Sequence, residues 1–278
     1  MKKTKKLLAV FAAVSVALML PLQTMAAVDL NAKYDISTNQ IQGWPAGPDI
    51  TSDTGILMDA DTGVVLYNKG GDEQRYPASI TKILTALIVI EHCNLDDIVT
   101  FSHDAIYNVE QGSSSAGLDV GDKMTVRDCL YAMLLKSANE VANALAEHTA
   151  GSVQNFAVLM NAKAKEIGAT HTHFVNANGM PDPDHYSTAE DMAKIAAYAM
   201  KNPKFRQLVG TREKQVHYMR PNETVTFGNT NELLYSYPGA TGIKTGYTRA
   251  AGGCLAASAI RDGKELIVIV MHSQNTDT

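Results

Sequence analysis

Residues 80–92 read Ile-Thr-Lys-Ile-Leu-Thr-Ala-Leu-Ile-Val-Ile-Glu-His, long enough for a helix and apolar on nearly every side. Ile83, Leu84, Leu87, Ile88 and Ile90 cover most of such a helix, so it belongs in the middle of a domain with other elements all round it. The rest of the chain supplies them in a definite order. Gly55-Ile56-Leu57-Met58-Asp59-Ala60 and Val64-Val65-Leu66-Tyr67 flank Asp61-Thr62-Gly63, a hairpin signal. Residues 125–149 predict two helices interrupted at Ser137-Ala138-Asn139, and residues 152–167 predict an amphipathic helix stopped by Gly168. A further helix over 187–200 opens on a capping-box pattern, Ser187 with Glu190, and a short one covers 203–209. From residue 213 the texture turns to strand, over 214–219, 224–228, 242–247, 253–260 and 266–271. Arg261-Asp262-Gly263-Lys264 makes a hairpin turn between the last two. Strands, then helices, then strands predict an α+β chain, with one antiparallel sheet from both chain ends and a helical lobe inserted between them.

The 278 residues suit one large domain or two small ones. The N-terminus stands apart. Lys2, Lys3, Lys5 and Lys6 precede an apolar run from Leu7 to Leu20, then Pro21 and the small residues Ala26 and Ala27. This is the pattern of an export leader over residues 1–26, and the run is short for a membrane span. Residues 27–52, with Gly43, Pro45, Gly47 and Pro48, read as a lead-in with little regular structure, and residues 53–278 as the folded domain. Without the leader, 20 basic side chains face 29 acidic ones, a net charge of −9. That balance argues against nucleic-acid binding and offers no polybasic handle for anionic lipid. No membrane anchor is read in the chain.

Cys93, Cys129 and Cys254 are odd in number and match no metal spacing, so they read as free, buried small side chains, with a Cys93–Cys129 pair left open. His171-Thr172-His173 is the only close histidine pair, has no further ligand at helical spacing, and reads as a loop feature.

Three short motifs carry chemistry. In Ser79-Ile80-Thr81-Lys82, a helix starting near Ser79 places Lys82 at i+3, within reach of the hydroxyl. Serine is a weak nucleophile and needs a base. Lysine serves if burial and nearby positive charge lower its pKa from about 10.4 toward roughly 7–8. Ser137-Ala138-Asn139 puts a hydroxyl and an amide at i and i+2, which both face a cleft only where the backbone is not helical. The alternative is an ordinary N-cap, by either residue, for the following helix. Lys244-Thr245-Gly246, on a strand, offers a cation and a hydroxyl for a carboxylate, and a glycine where another backbone comes close.

In this order and in these contexts the motifs resemble those of the penicillin-interacting serine enzymes, and among them the D-alanyl-D-alanine carboxypeptidases. The resemblance runs from about Gly55 to Met271. It includes Tyr76-Pro77-Ala78 before Ser79, His185-Tyr186-Ser187-Thr188-Ala189, and Gly242-Ile243 with Tyr247-Thr248 around the lysine motif. It implies a β-lactamase/transpeptidase-like fold and an exported enzyme, working on the cell-wall side of the membrane. The implied reaction removes the terminal D-alanine from peptidoglycan stem peptides ending in D-Ala-D-Ala, with β-lactam antibiotics as inhibitors. Ser79 becomes the nucleophile, Lys82 its base and Ser137 the proton relay to the leaving amine. Asn139 holds the substrate amide and Lys82, and Lys244 and Thr245 face the terminal carboxylate. Gly246 and Tyr247 complete the substrate edge, with the Ser79 and Tyr247 amides as oxyanion hole. No metal or organic cofactor is implied. A serine β-lactamase and a catalytically silent sensor of β-lactam or wall peptide are the alternatives. Against the first, no glutamate-to-asparagine loop of the class A type stands between Asn139 and Lys244.

Two departures carry expectations. Asn176-Ala177-Asn178-Gly179 differs from the family's usual residues there, and the region is expected to stay outside the reaction. The family's domain usually closes with a helix after the last strand. No such helix is read before Thr278, so an uncovered apolar sheet face is expected.

Overall fold

The computed structural model describes residues 34–40, 42–220 and 223–274; the leader reading lies outside them. β1 (Ser52–Asp59) and β2 (Val65–Lys69) form the first hairpin. Its turn is held by Asp59, whose Oδ1 accepts from the Asp61 and Thr62 amides and the Thr62 hydroxyl. After a 3-10 turn at Ala78–Thr81 the helical lobe begins with α1 (Lys82–His92). It continues through β3 (Ile98–Thr100), α2 (His103–Tyr107), β4 (Lys123–Thr125), α3 (Val126–Leu135), α4 (Asn139–Ala150) and α5 (Val153–Ile167). Then come α6 (Ala189–Met200), α7 (Pro203–Val209), β5 (Glu213–His217), β6 (Thr224–Gly228) and α8 (Leu233–Ser236). The chain returns to the first hairpin with β7 (Ala240–Thr248), β8 (Gly252–Arg261) and β9 (Lys264–Ser273).

The sheet order is β2-β1-β9-β8-β7, antiparallel throughout. Both chain ends build it, as the order of elements predicted, and it leaves β7 as an edge. The strands at 213–217 and 224–228 depart from that prediction, because β5 and β6 pair only with each other. Turn chemistry fixes the β8–β9 connection, with Asp262 at φ +50° and Gly263 at +72°, both left-handed as a two-residue hairpin of matching twist requires.

β9 alternates strictly. Ile267, Ile269 and Met271 are fully buried and face α6 together with Ile56 and Met58 of β1. Leu266, Val268 and Val270 alternate with them on the opposite face and are half-buried. Leu57, Leu266 and Val268 line a pocket of about 310 Å³ there, bounded by Leu233 and Tyr237. α1 is surrounded by α3, α4, α5, α6 and α7, so an all-round apolar sequence is what its position demands. Every residue from Lys82 to Ile90 is buried, and each large aliphatic side chain there adds about 1.5–3 kcal/mol through removal from water.

The capping of α6 corrects the sequence reading by one residue. The N-cap is Thr188, whose hydroxyl accepts from the Asp191 amide, and Ser187 lies outside the helix. All three cysteines are free, Cys129 and Cys254 buried and Cys93 half-buried. His171 donates its backbone N–H to Asp191, and His173 Nδ1 lies 2.6 Å from the Asp184 carbonyl, both as parts of the loop before α6.

Candidate active site

Ser79 sits in the 3-10 turn that leads into α1. The sequence placed the start of the helix near Ser79, but the α-helix begins only at Lys82. Ala78 before it is left-handed at φ +48°, which costs a residue with a Cβ about 1–2 kcal/mol. Two glycines close on the turn. A Cβ on Gly179 would stand 1.9 Å from the Ala78 carbonyl oxygen, and one on Gly246 would stand 2.8 Å from the Ser79 nitrogen. Neither could carry a side chain without displacing the turn. Gly246 therefore does what the motif suggested, while Gly179 is a contact that sequence reasoning missed.

The i+3 spacing survives the tighter geometry. Lys82 Nζ donates to Ser79 Oγ at 2.8 Å, to Asn139 Oδ1 at 2.7 Å and to the Asn178 carbonyl at 2.5 Å. Asn178 corrects the expectation that its loop stands apart from the chemistry. Residues 176–180 lie against α1, with Thr85 Oγ1 donating to the Ala177 carbonyl at 2.7 Å. Lys82 is fully buried, and burial first, then the Lys244 charge, push its ammonium well below the usual lysine range, while Glu140 opposes them. Two of its three partners can only accept. Once Lys82 is neutral, its two N–H bonds stay with Asn139 and Asn178, and its lone pair faces the Ser79 hydroxyl.

Ser137 and Asn139 lie in the break between α3 and α4. The N-cap of α4 is Ala138, which makes no side-chain capping bond, so the ordinary capping alternative does not hold for either residue. Ser137 is left-handed at φ +65° and lines the cleft. Asn139 opens α4 and lines the cleft, with Nδ2 lying 3.7 Å from Met180 Sδ.

β7 forms the other wall. Thr245, Gly246 and Tyr247 line the cleft, and Thr245 Oγ1 is 2.7 Å from Thr230 Oγ1. Lys244 does not line it. The residue is buried, donates Nζ to the Thr245 carbonyl at 2.8 Å, and is pushed down by burial to about 7. The cation that does line the cleft is Arg249, which carried no signal in the sequence. The cleft encloses about 810 Å³ and reaches from Ser79 to Arg249.

His185 props the turn that carries Ser79. Val175 donates its amide to Nδ1 at 3.2 Å, which leaves Nε2–H to donate to Thr81 Oγ1 at 2.9 Å. Burial is the main cause that pushes the ring down to about 3, so it stays neutral.

A serine hydroxyl against the lone pair of a buried amine, beside a sheet edge that offers a hydroxyl and a guanidinium, is the apparatus of a serine acyl-transfer enzyme. Comparison with known proteins gives the same class. Residues 41–275 match the profile of the Peptidase_S11 family, D-alanyl-D-alanine carboxypeptidase, and the chain belongs to that family. It is 39% identical over 223 residues to the D-alanyl-D-alanine carboxypeptidase DacF of Bacillus subtilis (strain 168), covering 77% of this chain and 56% of that one. It is 38% identical to the D-alanyl-D-alanine carboxypeptidase of Streptomyces sp. (strain K15), covering 81% of this chain and 82% of that one. The chain thus spans little more than half of the first relative. The crystal structure of the Streptomyces K15 DD-transpeptidase superposes with a TM-score of 0.79 at 38% identity, over 84% of this chain and 94% of that one. The fold is thereby that of the penicillin-binding DD-peptidases, α+β with one antiparallel sheet. No described helix is long and apolar enough to cross a membrane.

Proposed function

We propose that the chain is a serine D,D-carboxypeptidase that removes the terminal D-alanine from peptidoglycan stem peptides. The observation that carries this reading is the Lys82 ammonium, buried, destabilised and bonded to Ser79 Oγ at 2.8 Å. Ser79 Oγ attacks the carbonyl between the two D-alanines as its proton passes to Lys82 Nζ. The amides of Ser79 and Tyr247 receive the developing oxyanion. Ser137 hands a proton to the leaving amine, the C–N bond breaks, and free D-alanine departs. Water then attacks the Ser79 ester and releases the shortened peptide. Thr245 and Arg249 meet the substrate's terminal carboxylate, and Lys244 supplies positive potential from behind the strand. A β-lactam opens on Ser79 along the same path and stays as an acyl-enzyme.

The substrate lies outside the cytoplasmic membrane, which agrees with residues 1–26 acting as an export leader ahead of a catalytic domain over 53–278. The test of function is release of free D-alanine from a peptide ending in D-Ala-D-Ala, beside covalent labelling by a fluorescent penicillin. Wild type gives both, and folded S79A gives neither. D-alanine release or labelling by S79A would remove Ser79 from its role.

A further inference from the structure

Glu140 follows the Ser137-Ala138-Asn139 break, and the mechanism above makes no use of it. It is 2% exposed. Glutamate is almost never so deeply buried unless paired. The other buried carboxylates are paired, Asp191 with Lys194 at 3.2 Å and Glu265 with Arg206 at 2.7 Å. Glu140 makes no ion pair of that kind among the described residues. Its Oε1 accepts from Ser115 Oγ at 2.7 Å and from the Ala116 amide at 2.6 Å. Its Oε2 is buried with no hydrogen-bonding partner among the described residues. A buried carboxylate held this way needs positive charge at longer range.

One such charge is at the acyl-transfer centre, where Lys82 feels both the Lys244 amine and the Glu140 carboxylate. Lys82 and Lys244 are both buried, on the neighbouring elements α1 and β7. Lys82 feels the charges of Lys244 on β7 and Glu140 on α4, and His185, in the loop before α6, feels Lys82 and is neutral. Glu140 in turn faces the phenol of Tyr218, beyond which act Glu223, Arg220 and Asp122. The same carboxylate holds the two residues that follow the cleft-lining Ser114. Ser114 lines the cleft and its carbonyl accepts from the Asn139 amide at 2.9 Å, while the Ala116 carbonyl accepts from the Tyr218 hydroxyl at 2.5 Å.

We propose that Glu140 is a positioning residue for acyl transfer: its buried charge supports the Lys82 amine, and its Oε1 pins residues 115–116, directly after Ser114 of the cleft wall. A base must be neutral to accept the serine proton yet strong enough to hold it. Burial and Lys244 weaken Lys82, and Glu140 restores part of its strength. The inference rests on the reading of Ser79 as nucleophile and Lys82 as base.

The experiment is the second-order rate of Ser79 acylation by penicillin as a function of pH, with folding checked by thermal unfolding. E140Q removes the charge and keeps an acceptor for Ser115 and Ala116. Its acid limb moves to lower pH than wild type, because more acid is needed to protonate a weaker base. Its plateau falls by up to about tenfold. S115A cuts the tether and leaves the charge, so its limb stays in place while more penicillin is needed for half-maximal acylation. Where E140Q does not fold, E140D keeps the charge on a shorter arm and keeps the limb in place. An E140Q limb that superimposes on wild type, or lies above it, overturns the proposal. So does a limb that moves down in S115A or E140D. Wild-type acylation with no acid limb at all would instead break the reading of Lys82 as the base.

Discussion

The two walls of the cleft differ in kind. On the helical side, Lys82 is fully buried and bonded to three oxygens drawn from the 3-10 turn, α4 and the 176–180 loop. On the strand side, Tyr247 is 55% exposed and Arg249 stands open to solvent just past the end of the edge strand β7. Proton transfer demands the first arrangement, because a lysine becomes a base only where water is excluded and its hydrogen bonds dictate where the lone pair points. Substrate capture demands the second, because a peptide end must arrive, be held and leave. Under the proposed function, a substitution on the helical side is expected to act on the chemical step, and one on the strand side on binding.

The largest break in that comparison is at Lys82. K82A should lose at least roughly 10²-fold in acylation rate, the usual scale for a general base. K82R sharpens the point. It keeps a cation and donors for Asn139 and Asn178 but cannot give up its proton at working pH. It should therefore fail about as badly as K82A. Rapid-mixing measurements with penicillin decide, and near-normal acylation by K82R would mean that Lys82 acts as a charge and not as a base.

The helical side should also be the acid-sensitive one. His185 is held near 3 when folded against 6.5 in a free histidine, so the unfolded chain binds more protons between those values. Stability contributed by keeping this ring neutral is present above pH 6.5 and is lost as pH falls toward about 3. The loss is on the order of 4–5 kcal/mol across that window. H185Q has no such titration. The difference in unfolding free energy between wild type and H185Q should shrink steadily over the same range, as read by urea unfolding at successive pH values. A constant difference would show that the ring is not held neutral.

Next in size is Gly179. G179A places a methyl against the Ala78 carbonyl and forces a residue with a Cβ to φ +88°. A cost of about 2–4 kcal/mol is expected from the strain and the clash together. Acylation should slow as well, because the displaced atoms belong to the turn that carries Ser79. Urea unfolding and penicillin labelling give the two readouts. Destabilisation with unchanged labelling would separate the turn's stability from its alignment.

How much of this was legible depended on whether the signal was local. Ser79 and Lys82 could be read because three residues of spacing fix their proximity in either a 3-10 turn or an α-helix. Gly246 could be read because a glycine beside a lysine on a strand implies a close backbone. The Asn178 carbonyl could not, since every residue has one and only the path of the loop brings it to Lys82. Gly179 was hidden for the same reason: its neighbour, Ala78, is 101 residues away in sequence. Strand propensity revealed β5 and β6 but not their partner, because pairing is a long-range choice. Ser187 and Thr188 both carry a capping hydroxyl, and only the backbone shows that Thr188 caps α6.

The strand side should break most gently. Arg249 is exposed, so water screens its charge and competes for its hydrogen bonds. R249Q should therefore raise KM for a peptide with a free C-terminal carboxylate by about three- to tenfold. Its kcat should change little, since the guanidinium meets the substrate equally in the ground and transition states. The same peptide with an amidated C-terminus should not distinguish R249Q from wild type. A fall in kcat, or an equal loss on the amidated peptide, would place Arg249 with the helical side of the comparison, as part of the chemistry and not of capture.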